Sequence, residues 1–367
     1  MFNNIYKNKT VLVTGNTGFK GSWLTTWLLH LGAKVIGLSD RVPTKPSMFE
    51  TLELENKIQH FVADINKLSE VTAVIKKGKP EFIFHLAAQA IVSESYKDPL
   101  ATIQTNVIGT TNILESVRSL RHPCTVVLIT SDKCYENVEW TWGYRENDRL
   151  GGKDPYSASK AAAELIIHTY YHSFFSGNDF SVKIGSTRAG NVIGGGDWAP
   201  NRIVPDCIRA WAEEKPVVIR RPQSTRPWQH VLEPVGGYLT LGQHLYENNR
   251  LTGESFNFGP ASDQTFTVQQ LIEELASNWV FKNGKEKVVI QQEPGFHEAG
   301  LLKLNCDKAL HYLNWKPVLN FQQASRFTAA WYNEYYHGDR SSLHQLTLSQ
   351  IDDYLSEAEK TNPSWLQ

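Results

Sequence analysis

The residues best placed to do chemistry are Tyr156 and Lys160, four apart in Tyr156-Ser-Ala-Ser-Lys160. On a helix that spacing sets both on one face. An ammonium beside a phenol favours the phenolate, so Lys160 is expected to pull Tyr156 below its ordinary pKa of about 10. A tyrosinate so placed takes a proton from a substrate hydroxyl while hydride leaves the same carbon. Ser131, in Thr130-Ser131-Asp132, offers a hydroxyl to orient the substrate oxygen. Such Tyr–Lys pairs are common and most are structural, so the surrounding elements decide.

Those elements begin with a glycine turn. Gly15, Gly18 and Gly21 punctuate Val-Thr-Gly-Asn-Thr-Gly-Phe-Lys-Gly, with Asn16, Thr17, Phe19 and Lys20 between them. The turn follows a β-rich run, Thr10 to Thr14, and opens a helix, Phe19 to Leu31. A strand–turn–helix of this kind brings backbone N–H groups and a helix N-terminus to a pyrophosphate. No Gly-Lys-Ser/Thr closes the motif, which excludes a nucleoside-triphosphatase loop. Asp40, 19 residues after Gly21, ends a second strand and is suited to the ribose hydroxyls of NAD. Adjacent Arg41 could instead meet a 2′-phosphate. Asp64-Ile65 is expected at the adenine edge, and small residues in Leu86-Ala87-Ala88 leave room for the dinucleotide. Lys160 also suits the nicotinamide ribose. Asn106, inside a long helix, is expected to break its regularity near Lys160.

Strand and helix patterns alternate through the first half. Strands are expected at Thr10–Thr14, Lys34–Ser39, Ile58–Ala63, Glu81–Leu86, Thr125–Thr130 and Phe180–Gly185. Helices are expected between them, the longest at Leu100–Leu120 and Tyr156–Phe175. The pattern predicts an α/β protein: a Rossmann-type parallel sheet with helices on both faces. Residues 1–189 form the NAD-binding domain with the catalytic residues. Residues 190–367 form a smaller, mixed α/β substrate-binding domain, with some segments returning to the first. The stretch from Gly338 onward is polar and expected to be peripheral. Formal net charge is -1, with 37 Lys and Arg against 38 Asp and Glu, which gives no basic field for nucleic acid. Cys124, Cys134, Cys207 and Cys306 form no Cys-x-x-Cys pair, so no metal site is expected and reduced thiols fit. No apolar run suits a signal peptide or a membrane span. A cytoplasmic enzyme is the expectation.

Longer segments carry a resemblance. TGNTGFKGSWL, LAAQAIVSESY, TSDKCYENVEWTWGYRENDRLGGKDPYSASKAAAE, STRAGNVIGGGDWAPNRIVPD and STRPWQHVLEPVGGYL together span nearly the whole chain. They resemble the nucleotide-sugar 4,6-dehydratases of the extended short-chain dehydrogenase/reductase family. SDKCYEN and RAGNVIGGGDW resemble the branch that acts on CDP-D-glucose. The resemblance implies bound NAD and conversion of CDP-D-glucose to CDP-4-dehydro-6-deoxy-D-glucose and water. Tyr156 is then the base for oxidation at C4, and Asp132 protonates the departing C6 hydroxyl. Lys133 stands where many relatives carry glutamate. It is either the C5 acid/base or an electrostatic support for the enolate. Substrate contacts are implied at Gln89, Asn191, Arg202, Arg220 and Arg226. The resemblance also implies a homo-oligomer, dimer or tetramer, and a role in supplying deoxysugars for O-antigen. A nucleotide-sugar epimerase, or a dehydratase acting on another nucleotide sugar, would share most of these residues. A simple reductase or a non-catalytic dinucleotide binder fits less well.

Overall fold

The computed structural model describes residues 2–177, 181–219, 221–281, 288–290 and 301–362. Seven strands form the main sheet: β1 Thr10–Thr14, β2 Lys34–Ser39, β3 Gln59–Val62, β4 Phe82–His85, β5 Cys124–Ile129, β6 Val182–Arg188 and β7 Ser255–Asn257. Their order is β7-β6-β5-β4-β1-β2-β3, and every neighbour pair is parallel. Strand order reverses between β1 and β4. In such sheets the crevice for ligands opens there, beyond the carboxyl ends of the strands.

Alternation along the strands feeds two cores. Val11, Val13, Phe82, Phe84, Val127 and Ile129 face one. Leu12, Ile36, Ile83, Val126, Leu128 and Ile184 face the other. Both sides of a parallel sheet are thus dry, which is why its strands read as unbroken apolar runs. The second core is closed by α2 (Leu68–Gly78), α3 and α4. Helix α3 runs as Pro99–Ile103, a π turn over Gln104–Ile108 and Gly109–Arg118. Helix α4 is Pro155–Tyr170, continued by a π turn over Tyr171–Phe175. Its start is fixed by Asp154, which accepts the Ser157 N–H at 2.9 Å, with Pro155 in the first turn. The first core is closed by α1 (Phe19–His30) and α6 (Leu232–Glu247), with α5 (Ile203–Ala212) beyond them.

Two expectations need correction. β6 continues to Arg188 rather than ending at Gly185, and this carries Arg188 into the centre of the fold. Residue Phe180, its expected start, lies outside the described residues, as does Lys287 before the short strand Val288–Ile290. The stretch after Gly338 is not peripheral. Following α7 (Phe321–His337), α8 (Leu343–Thr361) buries Leu343, Ile351, Tyr354, Leu355 and Ala358. Tyr354 meets Trp27 of α1 edge-on at 5.8 Å between ring centroids. The apolar positions recur at helical spacing, but polar residues between them hide the stripe in composition. No helix among the described residues is long and apolar enough to cross a membrane.

Glu233 links three of these parts. Its carboxylate accepts the N–H groups of Val318 at 2.9 Å and Leu319 at 2.6 Å, and the Tyr354 hydroxyl at 2.9 Å. Burial pushes its pKa up to about 7, while those three donors oppose the shift. The folded chain therefore holds this proton more tightly than the unfolded chain. The contribution to stability is full below about 4.5 and is lost as pH rises to about 7. Glu233→Gln is expected to flatten the fall in melting temperature between pH 5 and 7.5. An unchanged slope in the variant would contradict this assignment.

Candidate active site

The glycine turn lies between β1 and α1 and fits a dinucleotide backbone. Gly15 has φ +70°, and a Cβ there would lie 2.8 Å from the Ala87 nitrogen. A Cβ on Gly21 would lie 2.1 Å from the Gly15 carbonyl oxygen. Bare backbone at these two positions keeps the turn, the helix start and the end of β4 in mutual contact. Asn16 and Thr17 do not point outward. Asn16 Oδ1 accepts from Ser39 Oγ at 2.9 Å, and Thr17 Oγ1 donates to the Arg41 carbonyl at 2.7 Å. They lock the turn to the end of β2. Phe19 packs beneath Gly194.

The remaining residues assigned to a dinucleotide line the same rim. Asp40 follows β2, with its carboxylate 3.6 Å from Arg41 Nε and more than half exposed. Asp64 caps the Asn66 N–H at 2.9 Å, and Ile65 packs against Gly109 of α3. Leu86, Ala87 and Ala88 continue β4 and are half-buried. Gln89 is engaged locally, donating to Thr102 Oγ1 at 2.9 Å and accepting the Ile91 N–H. Asn106 is buried in the π turn of α3. It accepts the Gln89 N–H at 2.9 Å, and donates to the Gln89 carbonyl at 3.0 Å and to Ser159 Oγ at 2.9 Å. One residue thus joins the loop after β4 to the helix of Tyr156 and Lys160.

Tyr156, Lys160, Ser131 and Asp132 are all brought together, each buried. Ser131 caps the short turn Asp132–Cys134, accepting the Lys133 N–H at 3.2 Å and donating to Asp132 Oδ1 at 3.0 Å. Lys133 is half-buried. The expected drop in the Tyr156 pKa does not occur in the protein alone. Burial pushes the phenol up to about 12, against the pull of a hydrogen bond with Ser131 and of Arg202. Burial likewise lowers Lys160 to about 8, with Glu164 and Cys134 opposing. Desolvation is the largest cause of both shifts because both groups are buried.

Two further cations face these residues. Lys20 is lowered to about 8, first by burial and then by Arg202 and Lys160, while Asp132 and Asp197 oppose the shift. Arg202 is paired with Asp197 at 2.8 Å and raised by it. Asn191, at φ +51°, reaches Asp132 Oδ2 at 3.4 Å. Arg226 lies farther along, in the short strand Thr225–Arg226, half-buried and donating to the Thr225 carbonyl at 2.8 Å. Arg220 lies outside the described residues.

Sequence reasoning missed the layer behind the site. Glu164, one helical turn after Lys160, forms an ion pair with Arg188 at 2.8 Å. It also accepts from Thr130 Oγ1 and, at 3.0 Å, from Ser186 Oγ. Burial pushes its carboxyl up, but Arg188 and these hydroxyls hold it below the ordinary value. Arg188 donates further to Tyr135 OH at 2.9 Å and the Glu146 carbonyl at 2.8 Å. Tyr135 OH donates to Asn257 Oδ1 of β7 at 2.7 Å. The i,i+4 spacing of Lys160 and Glu164 was a usable signal. Arg188 had none, since a partner in a distant strand has no sequence spacing. His85, at the end of β4, is also buried between Thr14 Oγ1 at 2.8 Å and Thr110 Oγ1 at 3.1 Å. Burial lowers it to about 3, so it is a neutral tie beneath the site.

CDP-glucose 4,6-dehydratase of Salmonella typhimurium strain LT2 is 41% identical over 96% of this chain and 98% of its own. UDP-glucose 4-epimerase of Thermotoga maritima, solved with UDP-glucose, superposes with a TM-score of 0.76 at 22% identity, covering 89% of this chain and 99% of that one. dTDP-glucose 4,6-dehydratase of Bacillus anthracis, solved with NAD, gives 0.73 at 23% identity, covering 91% and 99%. These two likenesses speak to fold. The family described as GDP-mannose 4,6 dehydratase matches residues 12–328, and this chain belongs to it.

Proposed function

We propose that the protein is a CDP-D-glucose 4,6-dehydratase using bound NAD. The observation that carries the reading is the buried Asp132, set beside Ser131 on the rim that holds Tyr156 and Lys160. An epimerase has no use for an acid that expels a hydroxyl. The near full-length likeness to the Salmonella enzyme supports CDP-D-glucose as the substrate.

NAD, when bound, would be held by the Gly15–Gly21 turn, Asp40 and Lys160, and would supply a reversible hydride acceptor for the chemistry between C4 and C6. Acting as the phenolate, a form that the Ser131 hydrogen bond and Arg202 favour against burial, Tyr156 takes the proton of the C4 hydroxyl, with Ser131 holding that oxygen. The new C4 carbonyl acidifies the C5 proton, which passes to Lys133. Asp132 gives a proton to the C6 hydroxyl, the C6–O bond breaks and water leaves. Lys133 then returns its proton to C5. The proton gained by Tyr156 offsets the one given by Asp132, so the balance is loss of one water. Asn191, Arg202, Arg220, Arg226 and Lys20 are the groups available to the diphosphate.

Product analysis tests the reading. Incubation with CDP-D-glucose and catalytic NAD is expected to give a product lighter by one water. A product of unchanged mass would indicate epimerisation, and water loss only from another nucleotide sugar would overturn the choice of cytidine. Tyr156→Phe is expected to lower turnover by about 10²–10⁴-fold. Retained turnover in that variant would remove Tyr156 from the mechanism.

The lowered lysines set a pH dependence. Lys20 and Lys160 carry their charge below about 8 and lose it above. KM for the anionic substrate is therefore expected to rise as pH passes through about 8. Lys20→Met should raise KM at pH 7 and flatten the alkaline limb. A KM independent of pH between 7 and 9 would contradict the assignment.

We also read the outer face of α3 and α4 as a subunit interface. Leu100, Ile103, Ile108 and Leu165 are exposed there, 72%, 45%, 46% and 57% respectively. Such an apolar face is the usual mark of self-association. Leu165→Glu with Ile103→Glu is expected to reduce the sedimenting mass. An unchanged mass would place the interface elsewhere.

A further inference from the structure

Behind Asp132 the chain has no side chain at all. A Cβ built on Gly190 would lie 1.8 Å from Asp132 Oδ2, 2.0 Å from Cγ and 2.3 Å from Oδ1. The carboxylate rests flat on the bare Cα. It is held on its other sides by Ser131 Oγ at 3.0 Å and Asn191 Nδ2 at 3.4 Å.

The glycine is not needed for backbone conformation. The described glycines with positive φ are Gly15, Gly32, Gly196 and Gly253, and Gly190 is not among them. Alanine could adopt its backbone angles. Nor can the backbone retreat easily. The Gly190 carbonyl accepts from Gln229 Nε2 at 3.0 Å, and the Asn191 carbonyl accepts the Gln229 N–H at 3.3 Å. Gln229 Nε2 also donates to the Phe258 carbonyl at 2.9 Å, which fixes it. Of the two sides of this contact, the carboxylate, a side chain held by two side-chain hydrogen bonds, gives way before the backbone does.

We infer that Gly190 is a positioning residue for the elimination: the space at its Cα sets where Asp132 presents its proton to the C6 hydroxyl. A methyl at 190 displaces the carboxylate by about 1 Å or more, and a misplacement of that size costs on the order of 100-fold in rate. The C4 oxidation, which depends on Tyr156, Lys160 and Ser131, does not need this space. Position 190 therefore decides how the oxidised sugar is partitioned between loss of water and return to substrate. The inference rests on Asp132 acting as the acid for the C6 hydroxyl.

The test compares wild type, Gly190→Ala, Asp132→Ala and the double variant, with CDP-D-glucose and NAD in D₂O. Gly190→Ala is expected to release water about 100-fold more slowly. Its recovered CDP-D-glucose should carry deuterium at C5, because C4 oxidation and C5 proton removal continue while elimination stalls. Asp132→Ala should behave the same way. In the double variant the methyl has nothing to displace, so it should add less than about threefold to the loss. It should also melt where Asp132→Ala melts, even if Gly190→Ala alone is unstable. Water release from Gly190→Ala at the wild-type rate would overturn the inference, as would losses that multiply in the double variant. So would a Gly190→Ala protein that folds but leaves C5 without deuterium. A wild type that releases no water from CDP-D-glucose would overturn the dehydratase reading itself.

Discussion

The site depends on one buried ion pair. Glu164 and Arg188 meet at 2.8 Å with side chains 2% and 4% exposed. Removing one member of such a pair leaves a buried charge at a cost of about 3–5 kcal/mol. Thr130, Ser186 and Tyr135 add hydrogen bonds to the pair, while Arg188 Nε has no partner among the described residues. The consequence is geometric. Glu164 stands on the helix of Tyr156 and Lys160, and Arg188 ends the strand that leads into Gly190 and Asn191. Thr130 precedes Ser131 and Asp132. The pair therefore fixes the two halves of the proposed catalytic group against each other.

The electrostatics of the crevice follow from the same burial. Lys20, Lys160 and Arg202 are close enough to influence their neighbours, and Asp197 offsets only part of their charge. A diphosphate supplies the missing negative charge. Before it arrives, burial keeps the Tyr156 phenol well above neutrality and draws Lys20 and Lys160 down to about 8. A bound anion favours the charged form of both lysines, and perturbed groups gathered in this way are expected where chemistry rather than stability sets the arrangement.

Much of this was legible in the chain. The strand–helix alternation, the glycine turn and the Tyr156–Lys160 spacing are local patterns, and local patterns survive in sequence. Asn106 was legible as a break in a helix, and the π turn lies there. What was hidden is what depends on distance. Arg188 meets Glu164 only because β6 runs three residues beyond its apolar run. Gly190 carries no sequence signal of its role, since the carboxylate above it comes from another strand. The pKa of Tyr156 was misjudged because spacing reveals a neighbouring charge but not the dehydration that opposes it. The last helix was misread because its buried stripe is diluted by polar residues.

In a 4,6-dehydratase one crevice oxidises C4 and reduces C6 of the same sugar. A mixture of CDP-D-glucose labelled with deuterium at C4 and unlabelled CDP-D-glucose carrying ¹³C tests this directly. The account predicts deuterium at C6 only in products without ¹³C. Deuterium at C6 of ¹³C-containing product, or lost to free cofactor, would show that the hydride leaves the site between the two steps and would contradict it.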